Sequence, residues 1–121
     1  MVSEEVPVTC VDDLLLETIG DVLKQVFGEN AAKIMLQNVK KDYSLKLEEI
    51  PKRAQVFSDA LRNILGSGGV IIEDLILETL YSKLELEFKW KKGYTFSDYI
   101  KELRNSIDVY MTDRKSEAEE G

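Results

Sequence analysis

The chain has 121 residues, 44% hydrophobic and 32% charged, with a formal charge of −7 and a pI near 4.7. That suffices for one domain with a sizeable core. It opposes general attachment to nucleic acid or to an anionic membrane, whose phosphates need a positive footprint. Histidine is absent and Cys10 is the one cysteine. Ser-His-Asp and Cys-His machinery, Cys/His zinc sites and an internal disulfide are therefore excluded, and a cytoplasmic setting is expected.

Two prolines and seven glycines leave little room for an all-β fold with many turns. No apolar run reaches the roughly 18 residues of a membrane span, and MVSEEVPVTC lacks the regions of a secretory signal. In chain order, residues 1–9 read as a flexible arm. Thr9 and Asp12 form an acidic capping box that opens a helix over about 10–27. Leu15, Ile19, Val22, Leu23 and Val26 make its apolar arc, and Gly28 ends it. Asn30 caps a second helix, about 31–43, with Ala31, Ile34, Met35, Val39 and Tyr43 on one face. A connection over 44–51 is pinned by Leu45, Leu47 and Ile50, and Pro51 suits the first turn of a third helix. That helix, about 52–65, buries Val56, Phe57, Ala60, Leu61 and Ile64, and Gly66 caps its C-terminal end.

The next helix, about 69–85, is apolar all round. At 100° per residue, Val70, Leu77, Leu80, Tyr81 and Leu84 fall on one side and Ile71, Ile72, Leu75 and Ile76 on the opposite half. A helix of that kind is expected to be buried all round. Burial is worth roughly 1.5–3 kcal/mol per side chain, so bare flanks would be costly against a domain stability of about 5–15 kcal/mol. Cover must come from the other helices, from a second copy, or from both. Leu77, Leu80, Tyr81 and Leu84 are assigned to the domain's own core. Ile72, Ile76, Thr79 and Lys83 are assigned to a self-association face, because Thr79 and Lys83 mark that side as less core-like.

The period then changes. Leu84-Glu85-Leu86-Glu87-Phe88-Lys89-Trp90 alternates apolar and charged residues, which predicts a short hairpin or an extended arm near 86–94. Thr95 and Asp98 form a second acidic capping box, with Tyr94 and Tyr99 as a hydrophobic staple. The last helix, about 96–111, carries Phe96, Tyr99, Ile100, Leu103, Ile107 and Tyr110 in one stripe. Residues 112–121 are wholly polar and read as a tail. The expected organisation is a mainly α domain over 10–111, with about five helices packed around a central apolar one.

Motifs with chemistry are few. The Gly66–Gly69 loop lacks the lysine and Ser/Thr of a phosphate-binding loop, and reads as a helix–helix connection. The apolar helix carries Glu73, Asp74 and Glu78, the wrong surface for reading DNA. Lys89, Trp90, Lys91 and Lys92 are the one basic, aromatic-interleaved patch, which is the pattern of single-strand nucleic-acid binding; a strand with lysines guarding its edge explains it more simply. Adjacent acids such as Glu73-Asp74 point about 100° apart and do not chelate one ion; first-turn helix charges account for them. No catalytic residue, cofactor or metal is called for.

Several pieces together resemble a known family. They are Leu47-Glu48-Glu49-Ile50-Pro51, Phe57 with Ala60-Leu61 and Ile64-Leu65-Gly66, Ile72-Glu73, Leu80-Tyr81, Leu86-Glu87-Phe88 and Tyr94-Thr95-Phe96-Ser97-Asp98-Tyr99. In order and spacing, from about Ile19 to Leu103, they resemble the small archaeal Nitrosopumilus output domain family. The resemblance implies a helical domain that occurs alone or attached to sensory modules, as a signalling output. The leading functional expectation is a non-enzymatic interaction module that self-associates or engages another signalling protein. The alternatives are a small-molecule or peptide sensor with an apolar inter-helix pocket near Trp90 and the tyrosines, and the nucleic-acid reading above.

Overall fold

The structure, a computed structural model, describes residues 11–106. It is mainly helical, with α1 (Val11–Phe27), α2 (Glu29–Tyr43), α3 (Ala54–Leu65), α4 (Gly68–Lys83) and α5 (96–106), plus one 3-10 turn at Leu47–Glu49. No strand occurs among the described residues. The expected N-terminal arm, the Thr9 cap, Cys10, Ile107, Tyr110 and the polar tail lie outside them.

Helix α1 buries Val11, Leu15, Ile19, Val22 and Leu23, the arc its periodicity predicts, although Val26 is exposed. Thr18 is also buried, and its hydroxyl donates to the Leu14 carbonyl at 2.7 Å, so no polar group is stranded. A single residue joins α1 to α2. The Gly28 N–H donates to the Lys24 carbonyl at 2.8 Å, while its own carbonyl accepts from Ala32 at 3.0 Å. Gly28 has φ +92°, a conformation that other residues rarely adopt. Helix α2 thus starts at Glu29, and Asn30 is not its cap. The buried face of α2 is Ala32, Met35 and Val39; Ile34 points to solvent.

In the connection, Leu45 and Ile50 are buried, but Leu47 is exposed. It opens the 3-10 turn, in which the Lys46 N–H donates to the Glu49 carboxylate at 2.9 Å. Helix α3 seats Ala54, Phe57, Ala60 and Leu61 in the core and leaves Ile64 outside. Helix α1 touches α2 and α4, and α3 touches the same two, so the four helices close a ring. Helix α5 lays Phe96, Tyr99, Ile100 and Leu103 onto that core, with the Phe96 ring 6.2 Å from Phe57. It is also tied to the start of α1. Arg104 Nε meets Asp12 Oδ1 at 2.7 Å, and its Nη2 meets Oδ2 at 3.2 Å.

Helix α4 packs between α1 and α3, but it is not covered on every flank. Ile72 and Ile76 are 4% and 0% exposed, fully inside the chain's own core. On the same side, Lys83 Nζ reaches Asp21 at 2.9 Å and Glu17 at 3.3 Å, both on α1. The side assigned to a partner is therefore the α1 seam, and Ile72, Ile76 and Lys83 are not available for self-association; Thr79 is half-buried beside them. The bare edge lies elsewhere: Val70, Ile71 and Leu75 are 43%, 63% and 37% exposed. Leu77, Leu80 and Tyr81 face inward as expected, and Leu84 packs partly against the core.

Helix α4 ends in a Schellman motif. The Leu86 N–H donates to the Tyr81 carbonyl at 2.9 Å and the Glu85 N–H to Ser82 at 3.0 Å, with Glu85 at φ +59°. The motif turns the chain into an unpaired arm, 86–95, rather than a hairpin; the arm is extended as far as Lys91 and then turns at Lys92–Gly93, where the Tyr94 N–H donates to the Lys91 carbonyl at 3.1 Å. No strand lies beside this arm among the described residues, and the backbone of Lys91 bonds to a tyrosine hydroxyl instead of to a ladder.

Candidate functional site: an aromatic and acidic recess beside Trp90

One face of α4 presents Val70, Glu73, Asp74 and Leu77 along a single stripe, at the i, i+3, i+4, i+7 spacing. The stripe forms the floor of a recess of about 260 Å³, with Arg62 of α3 on one wall and Trp90, Tyr94 and Tyr99 on the other. Four elements have to meet to make it: α3, α4, the arm and α5.

Glu73 is the central polar group. Although only 3% exposed, it is satisfied: Ser58 of α3 donates its hydroxyl to one carboxylate oxygen, and Arg62 Nη2 lies 3.3 Å from the other. Arg62 is half exposed, so it forms the rim rather than the floor. Helix α4 begins at Gly68, which puts Glu73 beyond the first turn. Its position is set by the α3–α4 seam and not by the helix dipole, which corrects the first-turn explanation. Asp74 is half-buried beside it. Burial raises the Asp74 carboxyl above its ordinary pKa, and the like charges of Glu78 and then Glu73 add to the effect. Among the described residues Asp74 makes no ion pair.

The aromatic wall is held in place from α5. The Tyr99 hydroxyl accepts the Lys91 N–H at 2.7 Å and lies 3.4 Å from the Lys91 carbonyl. Lys91 Nζ contacts both oxygens of Glu102, at 2.7 and 2.6 Å, and the Tyr94 hydroxyl donates to Glu102 at 3.2 Å. These contacts hold Glu102 below the usual carboxylate range, chiefly through the Lys91 hydrogen bond, and raise Lys91 for the same reason. Phe88 packs edge-on against Tyr81 at 4.8 Å and Trp90 at 4.6 Å. Trp90 is nonetheless 58% exposed, next to the Lys91 backbone that Tyr99 holds. The predicted capping box starts α5 at this wall. The Thr95 N–H donates to the Asp98 carboxylate at 2.9 Å, the Asp98 N–H to the Thr95 hydroxyl at 3.2 Å, and the stapling rings Tyr94 and Tyr99 lie 5.0 Å apart.

The arm does not present Lys89, Trp90, Lys91 and Lys92 as a bare cationic strip. Lys91 is neutralised by Glu102, Lys89 lies 3.9 Å from Glu87, and Trp90 shares its recess with the paired Glu73 and Arg62 and with the Asp74 carboxylate, which would repel a phosphate. Lys92 is exposed and lines a larger hollow of about 600 Å³ beyond Tyr94. That hollow is open to solvent and carries charges of both signs. Among the described residues no three acidic or cysteine side chains gather as a metal site, and no helix is long and apolar enough to cross a membrane.

The sequence suggests, as an alternative, an apolar inter-helix pocket near Trp90 and the tyrosines; the recess there is instead bounded by the arm and lined by Glu73, Asp74 and Arg62. The signal for the two acids was present: Glu73 and Asp74 share a helical stripe with Val70 and Leu77. Comparison of the chain with protein-family models, curated proteins and solved structures finds no match.

Proposed function

We propose that this domain is a non-enzymatic recognition module whose binding site is the recess between the first half of α4 and the 86–95 arm. The observation that carries this reading is the exposed Trp90, whose neighbouring backbone is clamped by Tyr99 above the carboxylates of α4. Rigid aromatic side chains with an apolar body and a polar edge are typical anchors of binding sites. At about 260 Å³ the recess falls below the roughly 300–1,000 Å³ of most small-molecule pockets, so it suits a group the size of a side chain. A recognition domain of this kind fits the adaptor or signalling-output role that the family resemblance implies. The test is a screen of metabolites and short peptides by the fluorescence of Trp90, the one tryptophan. A saturable change that is abolished by Tyr94→Ala supports the reading; a flat response across the screen removes it.

A second reading is self-association, moved from the buried Ile72 and Ile76 to the bare α4 edge of Val70, Ile71 and Leu75. Sedimentation at micromolar concentration tests it, with Ile71→Glu as the control. A dimer lost in the variant supports this reading, and a monomer in both removes it.

A further inference from the structure

Resting on the recess reading above, we infer that the recess takes an organic cation, an alkylammonium or guanidinium group, held between the Trp90 and Tyr94 rings and the Asp74 carboxylate. Three observations converge on this ligand class. The first is charge: Glu73 and Asp74 line the recess against the one cation Arg62, and Arg62 is already engaged with Glu73. One negative charge is left over, on Asp74, in a partly desolvated place. An anionic ligand would be repelled there, and a neutral one would leave that charge without a partner.

The second is the wall. Aromatic faces attract cations through the ring quadrupole, most strongly for tryptophan and for ions stripped of water. Trp90 and Tyr94 both border the recess. The third is that the protein already uses the same chemistry next door. Lys91 Nζ lies 5.1 Å from the Tyr94 ring centroid while bonded to Glu102, an ammonium held by one tyrosine and one carboxylate. Tyr94 lines the recess as well, where Asp74 offers the matching carboxylate.

Calorimetry on the full chain tests this with n-butylguanidinium and n-butylammonium, using n-butylurea as the neutral isostere and butyrate as the anion. The expected result is saturable binding of the cations, with the urea at least about tenfold weaker and butyrate undetected. Asp74→Asn should weaken the cations by about tenfold, and Trp90→Ala, a change at an exposed position, should weaken them too. A short peptide with a central arginine separates two sources of the cation. Tighter binding than n-butylguanidinium places it on a peptide, equal binding places it on a small amine, and either result supports the inference. Urea or butyrate binding as well as the cations would overturn the cation class and leave the recess reading standing. No heat from any of these ligands, together with a flat Trp90 screen, would overturn both.

Discussion

Ser58 on α3 donates its hydroxyl to the Glu73 carboxylate on α4, and both side chains are buried in the seam between the two helices. The contact orients the carboxylate that lines the recess, and it satisfies a charge that would otherwise be costly to bury. Ser58→Ala leaves the carboxylate with Arg62 alone and should destabilise the fold by about 1–3 kcal/mol. Replacing both partners with apolar residues, as in Ser58→Ala with Glu73→Leu, should recover part of that loss. Urea unfolding with an unchanged denaturant slope measures both. A single variant as stable as the parent would show that the contact contributes nothing.

Gly69 and Gly20 should respond to alanine in opposite directions. A Cβ on Gly69 would sit 3.0 Å from the Leu61 carbonyl carbon and oxygen and 3.1 Å from the Arg62 Cα. Those are backbone atoms, so α3 and α4 would have to separate. Gly69→Ala should cost about 1–3 kcal/mol in spite of its better helix propensity. Gly20, inside α1, has nothing within 4 Å of a built Cβ. Gly20→Ala should stabilise by about 0.5–1 kcal/mol. Thermal melts of the two variants on either side of the parent are the expected result.

Asp74 gives a pH-dependent prediction. Its carboxyl is raised by burial and then by Glu78 and Glu73, so the folded state holds its proton to a higher pH than the unfolded chain does. Stability from this group is present below the ordinary aspartate range and is lost as pH rises through the raised value. Asp74→Asn should therefore stabilise at pH 7, by less than about 1 kcal/mol because solvent reaches the side chain, and should change little near pH 3. Melting curves at the two pH values check the sign, and a loss of stability at pH 7 would contradict it.

Tyr99 should control the order of the arm. Tyr99→Phe keeps the ring packing but removes the partner of the Lys91 N–H. Amide exchange at Lys91 should speed up by about tenfold or more, as expected for the loss of a hydrogen bond of roughly 1.5 kcal/mol. Exchange in α2, which packs on α1 and α3, should not change. Glu102→Gln, which weakens the hold on Lys91 and Tyr94, should act in the same direction.

Much of the fold was legible in the chain because its signals were local. The α1 arc, the Gly28 and Gly66 breaks and the Thr95–Asp98 box each depend on residues within a few positions of one another. The face of α4 was not legible. With apolar residues at nearly every position, periodicity does not say which side meets α1, and only the packed structure shows that Ile72 and Ile76 go inward while Ile71 stays out. The floor of the recess was hidden for a related reason. Glu73 is buried because Ser58, fifteen positions away, supplies its hydrogen bond, and no local pattern reports a partner that distant. The alternation over 84–90 signalled an extended chain, but a strand also needs a neighbour to pair with.

The most direct test of the recess as a binding site is a two-dimensional nitrogen–proton NMR titration with n-butylguanidinium. The one tryptophan provides a single indole N–H signal. That signal and the Glu73 and Asp74 amides should shift together along one saturable isotherm, while the α2 amides stay fixed. An unmoved indole signal, or shifts scattered over α2 with none at Glu73 and Asp74, would contradict the assignment.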